Sequence, residues 1–181
     1  LDADGFRSPT SKDAQMSDFG ANEKKRFPIE HIHLEEDAGK LIHAGDYSLV
    51  DLNRAGTPLL EVVTNPCFST PAEAKAFMQE LRLILRYLDI SDADMEKGHL
   101  RCDANVSVRP VGQKELGKKT EVKNMNSFVA IEKALEYEIK RQTEILAEGG
   151  KVTQETRGWD EAKQKTFSQR SKEQAHDYRY F

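Results

Sequence analysis

This sequence of 181 residues has few cysteines, no long apolar run and no excess of positive charge. The two cysteines, Cys67 and Cys102, form no CxxC pair, which excludes a disulfide framework and a structural zinc site and favours a reducing cytoplasm. No apolar run is long enough to span a bilayer. With 27 Lys and Arg against 31 Asp and Glu, the net charge of -4 argues against a chain that clamps nucleic acid by itself.

Several common catalytic signatures are also missing. The sequence has no GxGxxG, Walker or zinc-ligand spacing, so the standard loops that cradle phosphate are absent. It has no GxSxG elbow, and neither cysteine has a histidine beside it, which disfavours covalent hydrolase chemistry. If a nucleotide binds, we expect a sheet face to hold it.

The length suits one domain that buries about 70% of its unfolded surface. Residues 1–28 are polar, lack any helical or strand period and are predicted to form a loop or arm, and residues 29–181 are predicted to form one folded domain. The chain has neither an initiator methionine nor a signal peptide, and it ends directly after the aromatic run 178–181. We therefore expect an internal fragment of a longer protein.

Alternating and helical periods predict an α+β fold. Predicted strands lie near 29–36, 47–53, 58–64, 98–109, 118–125, 151–158 and 164–171. A capping box at Thr70–Glu73 opens a helix predicted over 71–89, and a second helix begins near Ser127 and ends at Gly149. Because the strands are half polar, we predict a mostly antiparallel sheet with helices packed on one face.

A polar ridge follows the predicted strand 98–109. Polar and apolar residues alternate strictly there, and side chains two apart share one face of a strand. The ridge consists of His99, Arg101, Asp103, Asn105, Ser107 and Arg109. It is either the solvent side of an ordinary sheet or, if the face is concave, a phosphate-binding floor that uses the guanidinium groups.

Glu61 is the strongest anomaly, because it interrupts the apolar residues of a predicted strand. Alternation also places His31, His33 and Glu35 on one face of strand 29–36, with Ile32 and Leu34 directed to the core. Two carboxylates about 4 Å apart repel by about 4 kcal/mol at an effective dielectric near 20. If Glu35 lies beside Glu61, the pair needs a proton, an arginine or a metal ion, and oxygen ligands favour magnesium over zinc.

Other polar residues admit two interpretations each. Glu61 pairs with an arginine or lysine, or it binds a cation. His33 donates a hydrogen bond to a neighbouring carboxylate, which we favour, or it ligates a cation. Lys123 with Glu121, and Arg157 with Glu155, add polar side chains at strand spacing. Acidic residues could bind cations and arginines could bind phosphates. This combination suits phosphoryl transfer, which depends on positioning and charge neutralisation.

Five motifs resemble, in order, the B subunit of the aspartyl/glutamyl-tRNA amidotransferases. They are His33–Lys40 (HLEEDAGK), Val50–Val62 (VDLNRAGTPLLEV), Met95–Arg109 (MEKGHLRCDANVSVR), Thr120–Phe128 (TEVKNMNSF) and Asp177–Phe181 (DYRYF). The resemblance covers about residues 29–181. It implies a cradle-shaped catalytic domain related to glutamine synthetase. It also implies an ATP- and magnesium-dependent enzyme that phosphorylates the side-chain carboxylate of Glu or Asp mischarged on tRNA(Gln) or tRNA(Asn).

The resemblance further implies site residues. Glu35 and Glu61 correspond to cation-binding acids, and Asp103, Arg101 and Asn105 would face ATP phosphates, the aminoacyl end or a second cation. Glu121, Lys123 and Arg157 would belong to the same floor, with Arg101, Asn105 and Lys123 binding ATP.

Partners follow from the resemblance as well. The A subunit, an amidase, would supply ammonia from glutamine, within a cytoplasmic heterotrimer that includes a small C subunit, and no membrane is involved. Domains outside this chain, namely an upstream strand and downstream helical and tail domains, would hold most of the mischarged tRNA. We therefore expect the chain alone to be inactive. Two alternatives stay open: a noncatalytic scaffold that docks the other subunits, and a ligase that acts on a free amino acid.

Overall fold

The computed structural model describes residues 25–171, with side chains up to Gln169. The predicted arm at 1–28 lies outside these residues except for its last four, and the aromatic run of the DYRYF motif lies outside them entirely. Among the described residues, no helix combines the length and the apolar character that crossing a membrane requires.

The chain divides into two compact units, and each has its own sheets. The first, here called the strand unit, is Glu23–Cys67. Its strands are β1 (Ile29–Glu36), β2 (Lys40–Ala44), β3 (Tyr47–Asp51) and β4 (Pro58–Thr64). β1 pairs with β4 and β2 pairs with β3, both antiparallel, and Gly45 adopts a positive φ of 66° in the tight β2–β3 turn.

The second unit, here called the sheet–helix unit, contains the described residues from Phe68 onward. Its elements are α1 (Pro71–Tyr87), β5 (Cys102–Val106), β6 (Thr120–Met125), α2 (Phe128–Ala147), β7 (Glu155–Asp160) and β8 (Lys165–Ser171). The strands form one sheet in the order β5-β6-β7-β8. β6 and β7 are parallel, because α2 connects them as a crossover, and the other two pairs are antiparallel.

The core of the sheet–helix unit lies between α2 and the sheet. Ile131 and Ala134 of α2 are fully buried, as is Val122 of β6. The rings of Tyr137 and Trp159 pack edge to face with centroids 6.4 Å apart. The packing of α2 therefore covers one face of the sheet, and polar side chains can occupy the opposite face.

Local sequence explains where the helices begin. The Thr70 hydroxyl accepts a hydrogen bond from the backbone N–H of Glu73 at 3.2 Å, and the Glu73 carboxylate accepts one from the backbone N–H of Ser69 at 2.7 Å. At α2 the Ser127 hydroxyl accepts from the backbone N–H of Ala130 at 3.0 Å. Both predicted helix starts are confirmed.

The α+β class and the antiparallel pairing are confirmed, with two differences in detail. The described residues form three sheets where one was predicted, and β2 was not predicted at all. The cradle shape stays a prediction.

The expectation that Ile32 and Leu34 reach a core is wrong for the described residues. Their exposed fractions are 53% and 79%. The strand unit has no helix among its described residues to cover this face.

Candidate functional site

Two predicted site residues, Glu35 and Glu61, lie on one face of the β1–β4 pair. The register places His33 directly opposite Glu61. Glu35 is two residues after His33 on β1, so both side chains project from the same face. The His33 Nδ1 atom lies 4.0 Å from Glu35 Oε1 and 3.9 Å from Glu61 Oε2. The structure therefore brings the two acids together around one imidazole.

The donor set of these two acids fits magnesium. Both carboxylates are about half exposed, with exposed side-chain fractions of 48% and 51%, so water and phosphate oxygens have room to complete a coordination shell. The favoured hydrogen bond from His33 to a carboxylate is not formed, because both distances exceed the hydrogen-bond range. The metal role of Glu35 and Glu61 stays a prediction.

His31 joins this face of the strand unit. Its ring centroid lies 4.6 Å from that of His33. His31, His33 and Glu61 each offer one donor atom, and the three atoms lie within 4.8 Å of one another. Alternation in the sequence predicts that His31 lies on this face, and its two-residue spacing from His33 is the signal for that placement.

A second charged group, here called the lysine cluster, consists of Asp103, Glu121 and Lys123 on β5 and β6. Lys123 Nζ lies 2.5 Å from Asp103 Oδ2 and 3.4 Å from Glu121 Oε1. Glu121 also accepts a hydrogen bond from the Thr156 hydroxyl of β7 at 3.0 Å. Three neighbouring strands thus fix one ammonium group between two carboxylates.

A β-bulge positions the lysine cluster. Cys102 pairs with Met125 and Ala104 pairs with Val122, so a single residue of β5 faces two residues of β6, Lys123 and Asn124. Asn124 has a φ of 65°, a left-handed conformation that asparagine tolerates better than most residues. The bulge places Lys123 within reach of Asp103.

The lysine cluster keeps Lys123 charged. Burial works to lower the pKa of Lys123, but the hydrogen bond and charge of Asp103, with the charge of Glu121, outweigh burial and raise the pKa above its ordinary value. Lys123 is therefore a fixed positive charge at neutral pH.

The predicted polar ridge is confirmed only in its central part. Arg101, Asp103 and Asn105 are exposed while Cys102 and Ala104 are partly buried, as alternation requires. His99 lies before the strand and forms a contact of 2.6 Å with Asp92, so it leaves the ridge.

Arg109 also leaves the ridge, because it lies beyond the strand. Its guanidinium donates to the backbone carbonyl of Lys114. The ridge is therefore shorter than the sequence indicates.

The structure does not place Arg157 beside the lysine cluster, which corrects the expected shared floor. Arg157 pairs with Val122, which is buried beneath α2, and its guanidinium donates to Thr166 Oγ1 at 2.8 Å and Glu155 Oε1 at 2.8 Å. It thus points to the helix-covered face of the sheet, whereas Lys123 lies on the other. Its catalytic role has only the resemblance to support it.

A buried polar network that the sequence pattern did not predict surrounds Glu138 of α2. The Glu138 side chain is 0% exposed and accepts hydrogen bonds from Arg141 Nε at 2.9 Å and Arg141 Nη2 at 2.6 Å. Gln142 donates to it at 2.9 Å, and Thr166 donates at 3.1 Å. The available signal was polar residues at positions where the helical period calls for apolar ones.

Gln142 links this network to β5. Its side-chain amide donates to the backbone carbonyl of Val106 at 3.2 Å and accepts from the backbone N–H of Val108 at 3.1 Å. Gln142 thereby holds the end of the strand that carries Asp103 and Asn105.

The thiol of Cys102 is not suited to act as a nucleophile at neutral pH. Burial, with a smaller contribution from the charge of Asp103, raises the pKa of the Cys102 thiol to about 12. The thiol is therefore protonated at neutral pH.

The comparisons with known proteins assign a family to this α+β chain. Residues 5–181 match the family model described as the GatB/GatE catalytic domain. The chain therefore belongs to that catalytic-domain family, which confirms the resemblance found in the motifs.

Individual relatives share one name, that of the B subunit of aspartyl/glutamyl-tRNA(Asn/Gln) amidotransferase. The chain is 58% identical over 178 residues to the protein of that name from Carboxydothermus hydrogenoformans, covering 96% of this chain and 37% of the relative. It is 62% identical over 157 residues to the one from Moorella thermoacetica, covering 84% of this chain and 33% of the relative. The chain thus spans about a third of the length of the curated relatives it matches.

Proposed function

We propose that the full-length protein is the component of a tRNA-dependent amidotransferase that converts mischarged Glu or Asp on tRNA(Gln) or tRNA(Asn) to the amide. The observation that carries this proposal is the family match over residues 5–181. The names of the relatives support the same class of reaction.

The chemistry begins with activation of a poor acyl donor. A side-chain carboxylate oxygen of the mischarged amino acid attacks the γ-phosphorus of ATP, and the bond to the ADP oxygen breaks. Ammonia then attacks the carbonyl carbon of the acyl phosphate. The C–O bond to phosphate breaks, a proton leaves the nitrogen and the amide remains. Both steps need charge neutralisation more than a covalent residue of the protein.

Glu35 and Glu61 are the residues that would hold magnesium, which supplies neutralisation of phosphate charge when bound. Their shared face and their exposure suit an ion that keeps waters and takes phosphate oxygens as further ligands.

Lys123, Arg101 and Asn105 would bind the phosphates of ATP. Lys123 suits this role because Asp103 and Glu121 fix its ammonium group while its side chain stays 36% exposed. Arg101 and Asn105 are exposed on either side of Asp103 at strand spacing. Asp103 and Glu121 would orient Lys123, and Asp103 would also face the aminoacyl end.

The proposal includes partners. Ammonia would come from the A subunit, an amidase, within a cytoplasmic heterotrimer completed by a small C subunit. Mischarged tRNA would bind mainly through parts of the protein outside this chain.

The Glu61→Gln variant of the full-length protein, assembled with its amidase partner, tests the proposal. We expect ATP-dependent amidation of mischarged tRNA to fall by about 100-fold or more, because an uncharged amide is a weak ligand for magnesium. Glutaminase activity should be unchanged. The matched control is Glu80→Gln, on an exposed part of α1.

Two outcomes would overturn the proposal. Unchanged amidation in Glu61→Gln would favour the scaffold alternative. ATP hydrolysis that proceeds with free glutamate and without mischarged tRNA would favour a ligase for free amino acids.

A further inference from the structure

We propose that the loop between β5 and β6, residues 107–119, binds the phosphate backbone of RNA. This segment is here called the basic loop, because it carries four basic side chains and one acidic side chain. They are Arg109, Lys114, Lys118 and Lys119, with Glu115 as the acid. The identification of this RNA as a tRNA rests on the proposed function, whereas the charge and the shape of the basic loop do not.

The basic loop has the opposite charge to the rest of the chain. Its net charge is +3 and that of the whole sequence is -4, so the remaining residues together carry -7. Phosphate attracts clustered lysine and arginine, and this attraction supplies most of the affinity that a protein has for nucleic acid of any sequence. The rest of the chain repels the same backbone on average. An RNA that contacts this chain is therefore directed to the basic loop.

Three lysines of the basic loop are available to an external anion. Lys114, Lys118 and Lys119 are exposed, and none of them forms an ion pair with a carboxylate of residues 25–169. Lys123 differs from them, because Asp103 and Glu121 hold its ammonium group. The three loop lysines therefore keep their charge for phosphate oxygens.

Internal contacts give the first part of the basic loop a defined shape. The backbone N–H of Gln113 donates to the carbonyl of Pro110 at 3.2 Å, and Gly112 has a φ of 89°, which suits the third position of such a turn. The Arg109 guanidinium donates to the backbone carbonyl of Lys114 and so closes the turn from the side.

Close packing at Gly117 fixes the second part of the basic loop. A Cβ atom at this position would collide with the carbonyl oxygen of Val108, so only glycine fits there. Lys118 and Lys119 follow Gly117 directly and are held beside the end of β5. A loop that is already ordered loses less conformational freedom when it binds a partner than a flexible one does.

The basic loop begins where the polar ridge ends, and this position favours RNA over an acidic protein as the partner. Asn105 of the ridge and Arg109 are four residues apart, so they are separated by at most about 14 Å. Under the proposed function, the aminoacyl end of the tRNA faces Asp103. The nucleotides next to that end then pass within reach of the basic loop. Phosphate contacts of this kind orient a nucleic acid without reading its sequence.

Binding of deacylated tRNA(Gln) to the full-length protein, assembled with its amidase partner, tests the proposal over a series of salt concentrations. The loop variant combines Lys114→Gln, Lys118→Gln and Lys119→Gln. We expect its Kd to rise by about 10-fold or more at about 0.1 M salt. The slope of log Kd against log salt should fall by about 2–3, because each phosphate contact contributes about 0.7–0.9 to that slope.

The matched control combines Lys133→Gln, Lys140→Gln and Lys151→Gln, which removes the same charge from exposed lysines of the same unit. Its slope should change by less than about 1, since these lysines lie outside the basic loop. Replacing the three loop lysines by arginine keeps the charge and should retain both the affinity and the slope of the unaltered protein.

Two results would overturn the proposal. A salt slope in the loop variant equal to that of the control variant would show that the basic loop does not contact RNA. Loss of the amidase partner from the loop variant, with tRNA binding unchanged, would assign the basic loop to an acidic protein surface instead.

The same measurements separate this inference from the proposed function. Deacylated tRNA without ATP supports no reaction, so binding tests the basic loop and amidation tests the function. A protein whose salt slope depends on the three loop lysines but which does not amidate mischarged tRNA would support the RNA contact and overturn the proposed function alone.

Discussion

At the scale of single residues, Glu138 has an environment unlike that of the other acids described above. It is fully buried, and two hydrogen bonds from Arg141 balance its charge, with Gln142 and Thr166 satisfying further lone pairs. A buried charge is tolerated when it is paired and hydrogen-bonded in this way. Because Gln142 also holds the end of β5, the network connects α2 to the strand that carries Asp103.

We expect Glu138→Ala to lower the free energy of unfolding by about 3 kcal/mol, since it removes the buried acid nearest to Arg141 and leaves Arg141 and Arg157 to share Glu155 alone. Urea unfolding monitored by circular dichroism measures this loss. Glu136→Ala is the matched control, because Glu136 is exposed on the same helix and should change stability by less than about 0.5 kcal/mol. Equal losses in the two variants would contradict the prediction.

At the scale of elements, the bulge in β6 is the feature that places the lysine cluster. It depends on Asn124, whose backbone has a φ of 65° inside a strand. A left-handed backbone costs an ordinary residue roughly 1–2 kcal/mol, and a β-branched residue is the least suited to it.

Asn124→Val should therefore destabilise the chain by about 1–2 kcal/mol, whereas Asn124→Gly should retain its stability, because glycine adopts positive φ freely. Thermal unfolding of both variants checks this pair. NMR of the Lys123 side chain would show whether its contact with Asp103 persists in the valine variant. A valine variant as stable as the glycine variant would show that the bulge is not strained.

The sequence predicted the elements better than their faces. Strand β1 lies where alternation placed it, and both helices begin at their predicted caps. The resemblance assigned Arg157 to the floor, and alternation could not correct this, because it separates the two faces of a strand but does not say which face a helix covers. That answer depends on the pairing of Arg157 with Val122, a contact between residues far apart in sequence.

Strand β2 was missed for a related reason. This strand has only five residues, Lys40–Ala44, with no regular alternation of polar and apolar side chains. It forms because β3 pairs with it across a tight turn. The bulge at Asn124 was likewise invisible, since only the register against β5 defines it. Local pattern therefore indicated that Glu35 and Glu61 could lie side by side, which the structure shows, but not the geometry that fixes Lys123.

At the scale of the whole molecule, carboxyl groups with lowered pKa values occur at several places in the sheet–helix unit. Burial works to raise the pKa of Glu155, but a hydrogen bond from Ser168 and the hydrogen bond and charge of Arg157 outweigh it and hold the pKa below its ordinary value of 4.5. The pKa of Asp92 is lowered chiefly by its hydrogen bond with His99, and that of Asp160 chiefly by the backbone N–H of Lys163. All three groups are more acidic in the folded chain.

The contribution of these three groups to the free energy of unfolding should therefore be constant from neutral pH to about pH 5 and decrease as the pH falls further. A group whose folded pKa is lowered contributes stability above its unfolded pKa, and it loses that contribution as the pH falls through the folded pKa. Urea titrations at pH 7, 5, 4 and 3 measure the slope. Glu155→Gln should flatten the decrease, and an unchanged slope in that variant would assign the acid sensitivity to other groups.

The raised pKa of Cys102 has a practical consequence. Thiol-selective dyes attack the thiolate, and a thiol with a pKa of about 12 supplies almost none at neutral pH. The sequence contains one other cysteine, Cys67, which is partly accessible at the end of the strand unit. The unaltered chain therefore offers a single attachment point for a fluorophore or spin label, and a maleimide placed there would follow the strand unit without any substitution.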